Sequence, residues 1–227
     1  MYKLVTKSEA NWNSNKSGDL NKLNTFCLFK TNDPYGFPEV KSNEFNPIDL
    51  IPYHTCKKKK IGDKEKTVHF FLDDYKFEQV WVNPKKYIEL FKFYEGIISP
   101  TFSIWENQPY ALNVFNMYRS RWLTRFYQEC GVKVLVDVRW ADKSSYDLCF
   151  SGIQKNTPVI VNTVGTKMLN NRKLFIEGFE VMLDRIQPSK LYVYGAFMPV
   201  KCDEYFSDVI YFESFWAKQR KKINKEG

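Results

Sequence analysis

Cysteine pairs, histidines and glycine-rich phosphate loops are what this sequence has little of. Its five cysteines, at positions 27, 56, 130, 149 and 202, are odd in number and form no C-x-x-C pair. That pattern signals neither a disulfide framework nor a thiolate zinc site, and it fits reduced thiols in a cytoplasm. With only His54 and His69 in the chain, there is no H-x-H metal pair and little material for a Ser-His or Cys-His triad. The patterns G-x-x-x-x-G-K-S/T and G-x-G-x-x-G are both missing, which excludes standard P-loop and dinucleotide-binding chemistry. No window approaches the roughly 18 to 20 apolar residues that a membrane span requires, and the first residues carry no apolar run of the signal-peptide kind. The expectation is a protein that stays where it is made, in a cytoplasm, and has no membrane partner.

What is abundant is aromatic and aliphatic material. Of 227 residues, 44% are hydrophobic and 17% aromatic, ample for one well-packed core. The formal charge is +8, an excess able to attract a polyanion. Part of it lies in two basic runs, residues 57–60 and 220–225, which read as solvated loop and tail.

Residues 1–66 read as an irregular N-terminal arm with loops that pack on the domain. The first 25 or so lack a period of 2 or 3.6, and the stretch Asp33-Pro34-Tyr35-Gly36-Phe37-Pro38 is a turn set by its prolines and glycine. Residues 67–216 form an α/β domain, and 217–227 a basic tail. Within the domain, short apolar runs alternate with segments of helical period. Strands are expected at 67–72, 101–105, 132–138, 159–164, 191–194 and 209–212, and helices at about 83–94, 109–129, 144–150 and 172–186. Such alternation is the mark of parallel crossover units, because a parallel connection must travel back across the sheet and a helix does so most economically. The units suit a mostly parallel sheet, partial-barrel-like or doubly wound. Polar and aromatic residues at the carboxyl end of each strand tip the balance toward the barrel-like form.

In either form ligands bind where the strands end, since loops there are free of the packed core and helix N-termini point at the same place. The candidates are Asp73 and Asp74 after the first run, Ser103 and Trp105 after the second, Asp137, Arg139 and Trp140 around the third, Thr163 and Gly165 after the fourth, and Tyr194 and Gly195 after the fifth. One carboxylate of the pair Asp73-Asp74 can bind a divalent cation or move a proton while the other faces away, and a second acid from another strand end, such as Asp137, would make a Mg²⁺ site. The competing assignment makes one aspartate a helix cap and pairs the other with an arginine. Arg119, Arg121 and Arg125, interleaved with Tyr118, Trp122 and Tyr127, join guanidinium charge to flat rings, as phosphate and base contacts require. The competing assignment turns the rings to the core and the arginines to solvent. His69, in mid-strand, belongs to the packed interior or rim.

Several of these segments together resemble a known family. They are Phe70-Phe71-Leu72-Asp73-Asp74-Tyr75-Lys76-Phe77-Glu78 with Trp81 and Pro84, Ser99-Pro100-Thr101-Phe102-Ser103, Asn116-Met117-Tyr118-Arg119-Ser120-Arg121-Trp122, Ser151-Gly152-Ile153, Asn162-Thr163-Val164-Gly165 and Tyr194-Gly195. In this order, over residues 30–196, they resemble the phage and mobile-element family called domain of unknown function 4417. Val136, Asp137 and Arg139 depart from the family pattern, which more often has a proline and small uncharged residues there. The resemblance implies a protein of phages, plasmids or integrated elements and no catalytic assignment.

Charge, the Arg/aromatic segment and that resemblance lead to the first expectation: an accessory protein of a phage or mobile element that binds nucleic acid and processes it with Mg²⁺ on Asp73 or Asp74. Two alternatives stay open. One is a barrel-like enzyme or binding protein for a small phosphorylated or nucleotide-like ligand; the other is an interaction protein that blocks a host factor.

Overall fold

In a computed structural model the chain is described over residues 23–41, 45–56, 63–166, 168–195, 198–202 and 205–226. The basic run 57–60 and residues 1–22 lie outside the described residues.

Seven strands, β1 (Leu50–Pro52), β2 (Thr67–His69), β3 (Gly96–Ile98), β4 (Val134–Asp137), β5 (Val159–Asn162), β6 (Leu191–Tyr194) and β7 (Val209–Phe212), form one sheet in strictly sequential order. Every neighbouring pair is parallel. A doubly wound sheet reverses its strand order at a switch point; this one never reverses. Right-handed crossovers in a sequential sheet all step the same way and put the helices on one face. The sheet curls away from them into a half-barrel. In a flat sheet β2 and β6 would lie about 19 Å apart, at roughly 4.8 Å per strand. Here the rings of His69 on β2 and Tyr194 on β6 have centroids only 4.9 Å apart.

The helices are α1 (Tyr53–Cys56), α2 (Glu78–Val82), α3 (Ile88–Phe93), α4 (Tyr110–Glu129), α5 (Tyr146–Phe150), α6 (Leu169–Ile186) and α7 (Phe215–Glu226). Alternation along the strands separates two environments. Val68, Ile97 and Val134 face one helix-side core with Phe91, Trp122 and Phe126. Val136, Val159, Val161 and Val193 face a second with Phe175, Phe179 and Met182. Ile98, Leu135, Ile160, Tyr192, Tyr194 and Phe212 fill the concave inner face. At its amino end Phe45 plugs the half-barrel, and its ring lies where a Cβ on Gly96 would come within 2.8 Å. Only glycine leaves that space.

Three expectations change. The stretch 101–105 is a loop; the strand before it is Gly96–Ile98. Gly96 begins a strand that follows α3 with almost no connection, and Ser99 N–H donating to Leu135 C=O at 2.8 Å ends the ladder just before Pro100. Apolar loop residues such as Phe102 are buried against α2 and α4 because the loop passes beneath them. Strand β1 lies inside the stretch read as an irregular arm, and the tail folds as α7. The turn at 33–38 forms, with Gly36 N–H donating to Asp33 C=O at 2.9 Å and Asp33 Oδ1 accepting from Tyr35 N–H at 2.9 Å.

Candidate functional site

At the carboxyl ends of the strands, successive loops bring polar side chains to one rim. From β4, Asp137 projects to the inner face, since its neighbours Val136 and Val138 are both in the helix-side core. Its Oδ2 accepts from Arg139 Nε at 3.0 Å and from Arg139 Nη2. The ion pair fixes a carboxylate that is 1% exposed. Trp140 turns the other way. Its indole packs on Phe175 (5.1 Å between centroids) and Phe150 (5.8 Å), and Nε1 donates to Leu174 C=O at 3.1 Å. The approach to α6 is close enough that a Cβ on Gly178 would sit 2.1 Å from Trp140 Nε1.

Beyond β5, Asn162 Oδ1 accepts from Val164 N–H at 2.9 Å, an Asx turn that starts the loop. Thr163 N–H donates to Tyr194 C=O at 3.0 Å, and Thr166 Oγ1 donates to Thr163 C=O at 2.8 Å. Gly165 lies at the turn, its carbonyl accepting from Asn171 Nδ2 at 3.3 Å. From β6, Tyr194 stacks on Phe71 at 4.2 Å, and its Oη accepts from Phe215 N–H at 2.9 Å, tying the rim to α7. Gly195 follows, where an added Cβ would collide with the Thr163 hydroxyl.

A cavity of about 350 Å³ opens here, lined chiefly by Trp105, Glu106, Trp140, Asn162, Thr166 and Asn171. Its walls are contributed by the loops after β3, β4 and β5 and by α6, whose Leu174 and Phe175 add an apolar side. Around the same rim the apolar side chains of Tyr75, Trp105, Val164, Met168 and Leu169 are exposed. A slightly larger cavity of about 430 Å³ lies between Lys30–Asp33 and Gly152–Ile153, but no carboxyl end of a strand contributes to it.

The remaining sequence candidates lie on the turn after β2 and on α4. Asp73 forms an ion pair with Lys76 at 2.6 Å and is largely exposed. Asp74 accepts from Ser103 N–H at 3.0 Å and Ser103 Oγ–H at 2.9 Å, tying the loop after β3 to the turn after β2. Neither approaches Asp137 as a third ligand: among the described residues there is no group of three or more His, Cys, Asp or Glu side chains arranged to hold a metal ion. On α4, Arg119 donates to Glu78 Oε1 at 2.8 Å with its guanidinium 3.6 Å from the Phe102 ring centroid. Arg121 is buried, its Nε donating to Ser151 C=O at 3.0 Å and its Nη2 to Cys149 C=O. Arg125 donates to Glu129 at 2.8 Å and to Glu39 C=O at 2.6 Å. This helix is buried on nearly all sides because residues 23–41 cover the face opposite the sheet. Trp122 Nε1, for example, donates to Cys27 C=O at 2.8 Å.

The structure thus places Asp137, Arg139, Trp140, Thr163, Gly165 and Tyr194 at the carboxyl ends of β4 to β6, keeps Asp73 and Asp74 on the turn after β2 with partners of their own, and ties Arg119 and Arg121 into the contacts of α4. The sequence reading passed over Asn162, Asn171 and Glu106. Asn162 was within reach, because counting inward positions from Ile160 puts position 162, not 163, on the inner face.

Among known proteins, the family model described as domain of unknown function (DUF4417) matches residues 29–215. The "Gene 1 protein" of Mycobacterium phage L5 is 31% identical over 98% of this chain and 97% of its own length. The "Gene 1 protein" of Mycobacterium phage D29 is 31% identical over 96% of this chain and 81% of its own length. No solved structure matches.

Proposed function

The chain belongs to the domain of unknown function (DUF4417) family, and from that premise we propose that it is a phage accessory protein whose half-barrel mouth binds a small, planar, nucleotide-like ligand. The observation that carries this reading is the rim cavity. Two tryptophans offer flat faces for stacking, and the amides of Asn162 and Asn171, the Thr166 hydroxyl and the Glu106 carboxylate offer donors and acceptors for an edge. A volume near 350 Å³ suits one ring system with a sugar rather than a polymer. Arg139, bound to Asp137 through one carboxylate oxygen, supplies positive charge at the same end of β4 for an attached phosphate.

Nucleic-acid binding, with or without a metal, has the net charge of +8 in its favour. The α4 arginines lend it no support, because carboxylates and backbone carbonyls occupy their guanidinium groups. Calorimetric titration of the protein with nucleosides, nucleoside monophosphates and a single-stranded oligonucleotide across a salt series separates the two. The expected result is saturable binding of a mononucleotide that weakens about tenfold or more in Trp105→Ala. Steeply salt-dependent binding of the oligonucleotide alone would sink the small-ligand reading.

A further inference from the structure

The polar groups that line the rim cavity are each half-used by the fold, and the half in use fixes what the other half can do. Asn162 Oδ1 accepts from Val164 N–H at 2.9 Å, which leaves its Nδ2 to donate. Asn171 is set the opposite way. Its Nδ2 donates to Gly165 C=O at 3.3 Å, so Oδ1 is its acceptor. Both amide orientations follow from backbone partners whose polarity is not in question. Thr166 Oγ1 gives its proton to Thr163 C=O at 2.8 Å and can offer a ligand only lone pairs.

Glu106 adds a carboxylate, and among the described residues it is the one charged side chain lining the cavity. Its Oε1 accepts from Asn107 Nδ2 at 3.3 Å, and the two oxygens keep lone pairs for a further pair of donors. The preceding Trp105 is 62% exposed, yet its backbone is clamped by Asn113, which accepts from Trp105 N–H at 3.2 Å and donates to Trp105 C=O at 2.8 Å. An exposed ring on a held backbone is a platform. Across the cavity Trp140 Nε1 is occupied by Leu174 C=O, so that indole presents its ring and no donor.

Acceptors therefore outnumber donors at this cavity: Glu106, Asn171 Oδ1 and Thr166 Oγ1 against Asn162 Nδ2. A planar ligand that matches them must carry mostly N–H groups on one edge. Adenine and cytosine each bring an amine beside bare ring acceptors, and uracil brings a single N–H between two carbonyls. Guanine alone of the common bases sets a ring N–H next to an amine, with a carbonyl following. That pair of adjacent donors fits a carboxylate, in the bidentate manner that makes charge-assisted hydrogen bonds strong.

We propose that the rim cavity selects guanine, with Glu106 accepting from N1–H and the N2 amine, Asn162 Nδ2 donating to O6, and the ring lying against the tryptophans. The assignment rests on the small-ligand reading and names its ligand class, a guanine nucleoside or nucleotide.

The experiment is calorimetric titration of guanosine monophosphate, its 1-methyl derivative and adenosine monophosphate into wild-type protein and Glu106→Gln. The phosphate is common to all three, so differences report the base. Glu106 is exposed, and thermal melts check that the variant folds like wild type. The expected result is at least about tenfold tighter binding of guanosine monophosphate than of the other two, with that preference lost in Glu106→Gln. Equal affinity for the three, or tighter binding of any other mononucleotide, overturns the guanine assignment and leaves the small-ligand reading intact. A preference for guanine that persists undiminished in Glu106→Gln overturns the pairing with Glu106. Binding of no nucleoside or mononucleotide at all overturns both readings. The comparison of guanosine monophosphate with its 1-methyl derivative in wild type needs no variant and decides the matter if Glu106→Gln does not fold.

Discussion

At the scale of single residues, the half-barrel is a place where ordinary side chains are given unusual surroundings. His69 is enclosed by Phe71 and Tyr194, with His54 and Lys218 as the charged or titratable neighbours that further disfavour its cation. Its folded pKa, about 3, lies below the ordinary value of 6.5. The unfolded chain therefore binds more protons between those limits, and stability falls as pH drops from about 6.5 toward 3, by at most about 1.4 kcal/mol per pH unit from this one group. Melting curves of wild type and His69→Phe between pH 7 and pH 4 are expected to diverge in favour of the variant; parallel curves would remove His69 as the cause. Gly178 acts through space. In Gly178→Ala the new methyl would collide with the Trp140 indole, so the ring must leave α6 and lose its bond to Leu174. We expect a loss of about 1–3 kcal/mol in denaturant unfolding and an altered near-ultraviolet dichroism band from Trp140. An unchanged spectrum would count against the packing described.

At the scale of elements, α4 separates charge from function. Its arginines looked from the sequence like a phosphate-binding stripe, but each closes a contact between elements. Arg121→Met would leave the carbonyls of Cys149 and Ser151 without their donor and is expected to cost roughly 3 kcal/mol. Arg125→Ala, which loses a partly exposed pair with Glu129, is expected to cost about 1 kcal/mol or less. Urea unfolding of the two variants checks the contrast; equal losses would show that the burial of Arg121 does not matter. Strand β4 makes the same point from the apolar side, since Val136→Asp would put an unpartnered charge in the helix-side core and is expected to abolish folding. A soluble, cooperatively melting Val136→Asp protein would contradict the core assignment. The strands that were plain in the sequence, β4 to β7, are β-branched or aromatic runs bounded by polar residues. Strands β1 and β3 were not. They have three residues each, too few for a period to appear, and at 101–105 a loop with Phe102 and Ile104 buried imitates a strand pattern.

At the scale of the whole molecule, the curl of the sheet decides what meets what. The segment before β1 is held to the far side of the sheet by side chains: Asn46 Oδ1 accepts from Tyr192 Oη of β6 at 2.7 Å and Lys190 Nζ at 2.9 Å, and Lys218 of α7 pairs with Asp49 at 2.6 Å. Asn46→Ala removes the acceptor shared by Tyr192 and Lys190 and is expected to cost about 1–2 kcal/mol, read as a lower melting temperature. No change would mean that this end of the half-barrel is not held there.

The alternating apolar and helical segments, together with the carboxyl-end rule, were enough to derive a parallel α/β architecture and to put Asp137, Arg139, Trp140, Thr163, Gly165 and Tyr194 at the carboxyl ends of strands, because strand periodicity and crossover handedness are local properties. The direction in which a strand end points, and the partner each charge finds, are not local. Whether Asp74 turns to Ser103 or to a metal, and whether Arg119 turns to Glu78 or to a phosphate, depends on segments 29 to 41 residues away in the chain. Only the tertiary structure decided those pairings, and only it could show which polar atoms of the rim cavity are left for a ligand.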